Sequence, residues 1–188
     1  MRDQPEERHS DPGDEVLLGG LEKVDIVIAD YDEAWPLRFE SEHAKIKAAL
    51  GSRAHAVEHV GSTSVAGLAA KPIVDICVLV ADSSDEASYV PDLEHTGYVL
   101  RVREPEWHEH RMLRTRARDV HVHVFSSGTP EVDRMLLFRD WLRQHSDDRD
   151  LYERTKRHLA TTDWPTMQHY AHAKTEVIEG ILARASGT

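Results

Sequence analysis

The chain has 188 residues, 40% hydrophobic and 30% charged, which suits a single domain with its own core and excludes a fibrous or wholly disordered class. Its net charge of -11 argues against broad nucleic-acid binding, and no apolar run approaches the roughly 20 residues of a membrane helix. The one cysteine, Cys77, permits no intrachain disulfide and fits a reducing cytoplasm, and the acidic start does not read as a signal peptide.

Residues 1 to about 20 are rich in Asp, Glu, Pro and Gly without periodicity and read as a disordered leader, leaving 21–188 as one domain. Val24 to Ile28 reads as a short edge strand. Asp32 and Pro36 fit a helix start near Trp35, with Phe39, Ile46, Ala49 and Leu50 inward and Gly51 as the stop.

The stretch from His55 to Val80 is the centre of the chain. It reads as a strand, a Gly61-Ser62-Thr63-Ser64 turn, a small-residue segment and a second strand over Ile73–Val80. Glycine tolerates a tight turn, and three hydroxyls beside exposed N–H groups suit a phosphate or carboxylate. The second strand is apolar nearly throughout and should be buried on both faces. Its one charge, Asp75, is costly there unless paired, hydrogen-bonded or metal-bound. Period two places Ile73, Asp75, Cys77 and Leu79 on one face; Cys77 reads as a packed thiol.

Asp82 to Asp85 reads as a turn before a helix ending near His95, and Tyr98 to Arg103 as a strand. Arg111–Thr115 and Val120–Phe125 read as a hairpin turning at Arg116–Asp119. In its second strand His121, His123 and Phe125 share a face: either metal or phosphate partners, or rings tied into the sheet. Arginines crowd this region, Arg101 and Arg111 among them, either as edge-strand protection or as an anion site. There are 13 histidines, but no Cys-x-x-Cys or His-Glu-x-x-His spacing, and His108-x-His110 reads as a solvated loop pair. The last third is helical: one helix from Thr129-Pro130 to Gln144, a second capped by Asp147, and a third opened by Pro165 with Tyr170 among its core residues.

The run from Glu58 through Gly61-Ser62-Thr63-Ser64 to Lys71-Pro72-Ile73-Val74-Asp75-Ile76 closely resembles the signature of the GrpB family. Gly97-Tyr98, His121–Phe125, Phe138–Arg143 and Tyr170-Ala171-x-Ala173-Lys174 extend the match to about residues 24–184. The family usually has Pro where Ala66 stands. The resemblance implies a nucleotidyltransferase-like α/β (α+β) fold, a mixed sheet flanked by helices. It also implies kinship with domains fused to dephospho-coenzyme A kinase, for which an accessory or folding role has been proposed.

Nucleotidyltransferases set a Gly-Ser turn before a strand with two acids at spacing two, which hold divalent metals. Here Asp75 fits the first acid, and Cys77 fills the second position, where it is no hard ligand for magnesium. The resemblance therefore implies a site of Asp75, His121 and His123. Asp75, His123 and Glu58 are candidate ligands for magnesium, manganese or zinc, the histidines favouring a softer ion. Gly61, Ser62, Thr63, Ser64 and Lys71 would cradle phosphate, with Arg101 or Arg111 as a clamp. Two functions stay open: transfer of a nucleotidyl or phosphate-bearing group to a small acceptor, or binding of a nucleotide or coenzyme A-related ligand without turnover. The expected partner is a small phosphate-bearing molecule, neither nucleic acid nor membrane, and oligomeric state is left open.

Overall fold

The computed structural model describes residues 17–18 and 25–187. Most of the expected leader lies outside them; Leu17 bridges Val102 at the sheet edge. The edge strand expected over residues 24–28 is not formed where it is described: residues 25–28 are irregular, and only Ala29 bridges, to Ala70.

Helix α1 spans Ala34–Leu50. The Asp32 carboxylate accepts from the Ala34 N–H at 2.8 Å, which satisfies an N–H with no partner inside the helix. Gly51, at φ 58°, closes the other end. Strand β1 (Ala56–Val60) leads into a short 3₁₀ turn at Ser62–Ser64, and β2 (Val74–Val80) follows. After α2 (Val90–His95) come β3 (Tyr98–Glu104), β4 (His110–Thr115) and β5 (Val120–Ser126). The sheet order is β1-β2-β5-β4-β3. Strands β2 and β5 run parallel at its centre, and all other neighbours are antiparallel.

Register decides which face each residue meets. Ile76 stands opposite Val122 and Val78 opposite Val124 on one face. These valines and isoleucines are fully buried with Ile46 and Leu50 of α1 and Leu93 of α2. Asp75 stands opposite His121, and Cys77 opposite His123, on the other face. Helices α3 (Pro130–Gln144), α4 (Ser146–Leu159), α5 (Met167–Ala173) and α6 (Thr175–Ala185) make up the C-terminal third. Val132 of α3 packs over Cys77 and Phe125, leaving the Asp75 end of this face partly open. Cys77 is the packed thiol that its strand position predicts, and burial pushes it up to about 12.

Three expectations about the helices are corrected; in the first, α4 has His145 at its N-cap, and Asp147 lies inside the first turn rather than capping it. Thr129 sits at the start of α3, but its hydroxyl donates to the Ser126 carbonyl rather than capping the helix. The last helix is broken: Thr166 caps α5, and the chain turns at Lys174 before α6.

Candidate functional site

Gly61 joins β1 to the hydroxyl turn at φ 69°, a conformation that side chains rarely adopt. A Cβ here would lie 2.6 Å from Asp75 Oδ2, so glycine lets the turn press against the carboxylate. The hydroxyls then divide. Ser64 donates to the Gly61 carbonyl at 2.6 Å and is spent on the turn itself. Thr63 donates to the Ile73 carbonyl at 3.1 Å and lies 3.1 Å from His59 Nε2. With its one hydrogen committed, Thr63 Oγ1 accepts from the His59 Nε2–H. Burial lowers His59 to about 4, which keeps its ring neutral against the Phe39 plane. Ser62 stays at the surface of the turn and lines a cavity together with Tyr152.

The parallel pairing of β2 and β5 brings the three polar side chains together. His121 Nδ1 and His123 Nε2 each lie 3.5 Å from Asp75 Oδ1. One ligand atom from each of the three residues lies within 4.8 Å of the others. Two ligands about 2.0–2.1 Å from a tetrahedral ion sit roughly 3.4 Å apart, so this spacing suits one cation with little movement. Burial acts to raise the Asp75 carboxyl, but the hydrogen bonds and charge of the two imidazoles outweigh it and hold it well below the usual carboxylate range.

Beside this group is a cavity of about 140 Å³. Gly61, Ser62, Thr63, Asp75 and His121 form its sheet side. Tyr152 and Lys156 of α4, Tyr170 of α5, Lys174 and Lys71 complete it. Lys156 and Lys174 lie over the rings of Tyr152 and Tyr170 at 4.7 Å each. Burial, then the neighbouring Lys174, lowers Lys71 to about 8 and Lys156 to about 7; burial also lowers Lys174. The Tyr170 hydroxyl is buried with no hydrogen-bond partner. A second cavity of about 170 Å³ shares Gly61, Ser62 and Tyr152, but its other walls are mainly apolar, including Val65, Phe138, Leu142 and Ile178.

The sequence therefore locates Gly61, Ser62, Thr63, Lys71, Asp75, His121 and His123 around one space. It misplaces four others, the first being Ser64, whose hydroxyl is held by the Gly61 carbonyl and does not line the cavity. Glu58 faces α3, where its carboxylate pairs with Arg139 at 2.9 Å, outside the Asp75–His121–His123 cluster. Arg111 stands opposite Val124, on the other sheet face, and bonds Glu86 at 2.6 Å. Arg101 is buried at a β3 irregularity and does not line the cavity.

Sequence reasoning missed His110. Far from being a solvated loop residue, it is 4% exposed, with Nδ1 2.6 Å from Glu104 and Nε2 3.0 Å from His123 Nδ1. Burial lowers it to about 4 in spite of Glu104. It also missed Tyr152, Lys156 and Lys174 as cavity residues. The available signal was a repeated Tyr-x-x-x-Lys spacing, at Tyr152–Lys156 and Tyr170–Lys174, which places ring and ammonium on one helical face.

Comparison with known proteins bears on the family and the fold. An UPF0157 protein of Halalkalibacterium halodurans is 52% identical over 176 residues, covering 93% of this chain and 90% of that protein. A dephospho-CoA kinase of Mycolicibacterium paratuberculosis is 31% identical over 154 residues, which are 67% of this chain and 37% of the kinase. The crystal structure of the conserved protein GrpB from Enterococcus faecalis superposes with a TM-score of 0.73 at 32% identity, covering 85% of this chain and 96% of that one. The Cid1 poly(U) polymerase shares the fold at a TM-score of 0.51 and 14% identity, over 71% of this chain and 44% of the polymerase. Among the described residues no helix is long and apolar enough to cross a membrane. The GrpB protein model matches residues 25–184, and with these relatives it shows that the chain belongs to the GrpB family.

Proposed function

We propose that the chain binds a small phosphate-bearing molecule and transfers its phosphoryl or nucleotidyl group to a small acceptor. One divalent cation would be held by Asp75, His121 and His123. The observation that carries this reading is the Tyr170 hydroxyl, buried without a partner on the wall of a cavity crowded with lysines. A buried donor left unpaired costs free energy, and a phosphate oxygen would satisfy it. Lys71, Lys156 and Lys174 would neutralise the phosphate, and the cavity holds one or two such groups rather than a whole nucleotide. The apolar second cavity adjoins it at Ser62 and would take a further part of the ligand.

The cation would supply Lewis-acid polarisation of a phosphoryl oxygen. Asp75, with its carboxyl held so low, is a poor proton acceptor and suits a ligand role better than that of a base. In the transfer the acceptor oxygen forms a bond to phosphorus as the bond to the leaving oxygen breaks. The acceptor's proton passes to water at the open side of the site.

Thermal unfolding tests this with inorganic phosphate, nucleotides and coenzyme A precursors, each with magnesium, manganese or zinc. Phosphate-bearing ligands should raise the Tm, and Lys156→Met and Lys174→Met should abolish the rise. Asp75→Ala should remove only the metal-dependent part. No stabilisation by any phosphate-bearing ligand would overturn the reading. The alternative, binding without turnover, is favoured by Cys77 at the place of a second acid and by the kinase relative. Metal-indifferent stabilisation without product formation would select it.

A further inference from the structure

The loop at residues 105–109 has positive φ at His108 (58°) and Glu109 (51°) and delivers the chain into β4 at His110. There the His110 ring is boxed in. It lies nearly parallel and edge to edge with His123, 5.2 Å between centroids, stacks on Phe125 at 4.7 Å, and meets the edge of Trp107 at 5.1 Å. Few orientations are left to it.

The hydrogen bonds then have a direction. A carboxylate only accepts, so Glu104 takes the hydrogen on His110 Nδ1 at 2.6 Å. With that hydrogen placed on Nδ1, Nε2 is the ring's acceptor and takes the hydrogen on His123 Nδ1 at 3.0 Å. With Nδ1–H committed to His110, His123 faces Asp75 Oδ1 through Nε2 at 3.5 Å, beside His121, and Nε2 is the nitrogen that a cation would take. A cation bound there would take the place of a proton between Nε2 and the carboxylate, leaving the ring's remaining hydrogen on Nδ1.

We propose that Glu104 and His110 are positioning residues that lock His123 in its Nδ1–H form. They thereby present Nε2 to a cation of the zinc or cobalt class in preference to magnesium. The inference rests on the cation part of the function proposed above, not on the phosphate cavity. Two imidazoles and one carboxylate favour borderline ions, whereas magnesium prefers oxygen ligands and retains its water. Outer partners of metal-bound histidines commonly contribute 10–100-fold to affinity.

Nitrogen-15 NMR of the metal-free chain at about pH 8, where unperturbed imidazoles are neutral, reads the tautomer directly. His123 should carry its hydrogen on Nδ1. His110→Phe keeps an aromatic plate but no nitrogen. It should erase that preference, weaken cobalt and zinc binding by about 10–100-fold and alter the ligand-field spectrum of bound cobalt. Glu104→Gln, whose amide oxygen still accepts, should lose less than Glu104→Ala. Glu104 is partly exposed, so its variants serve if His110→Phe does not fold. An Nε2–H tautomer in the parent chain, unchanged cobalt affinity in both His110→Phe and Glu104→Ala, or magnesium binding as tight as zinc would each overturn the proposal. Phosphate stabilisation measured without metal is read separately and survives any of these results.

Discussion

The two faces of one sheet are built from alternate residues of the same strands, and they do different work. On the face under α1 and α2, Ile76, Val78, Val122 and Val124 are fully buried in a dry aliphatic layer. One residue along each strand, Asp75, His121 and His123 stand beside a cavity with 22–30% of each side chain exposed. Period two lets a strand serve stability and chemistry at once, because a substitution on one face leaves the other face's contacts in place.

The largest effect should come from the dry face. Ile76→Ala removes a fully buried side chain and should cost about 2–5 kcal/mol in denaturant unfolding. Phosphate and cation affinity of the folded fraction should be unchanged; a parallel loss of affinity would erase the division between the faces. A smaller loss of stability with a larger loss of binding is expected for Gly61→Ala. Its backbone conformation is strained for alanine, by about 1–3 kcal/mol, and the new Cβ meets Asp75 Oδ2. Titration calorimetry should show cation binding lost before the fold is, and retained affinity would mean that the turn does not fix the carboxylate.

The smallest and most graded effect is with pH. Lys71 and Lys156 are lowered from 10.5 to about 8 and about 7. Between pH about 7 and 10.5 the unfolded chain therefore binds more protons than the folded one, and the ligand-free protein should gain stability as pH rises through that window. Bound phosphate favours the protonated lysines, so its affinity should fall over the same window and binding near pH 8 should take up protons. Calorimetry in buffers of different ionisation enthalpy measures that uptake. No uptake, with flat stability, would place the lysines' charges outside the ligand's reach.

The sheet half of the site was legible because its signals are local. Gly61-Ser62 is a turn signature, an acid inside an apolar strand stands out, and period two aligns His121 with His123. The helical half was not, because amphipathic spacing says which residues are inside without saying that the inside holds a cavity; Tyr170 was assigned to the core and is both buried and cavity-lining. Glu58 was misjudged for a different reason. It shares the Cys77 face, as alternation requires, but Arg139, 81 residues on, draws its carboxylate toward α3. Arg111 failed on parity, since odd and even positions of β4 meet opposite faces, and its register with β5 comes from tertiary pairing. His110 depended on a loop with two left-handed residues that composition does not announce.

The parallel contact between β2 and β5 also bears on how the protein matures. Asp75 and His121 become neighbours only after the chain has passed through α2, β3 and β4 and returned beside β2, a closure that is slow compared with forming a helix or hairpin. A nascent chain cannot assemble the three-residue cluster from its first half alone. Capture of an ion there follows topology rather than preceding it, and a chelator present during refolding should leave the folding rate untouched.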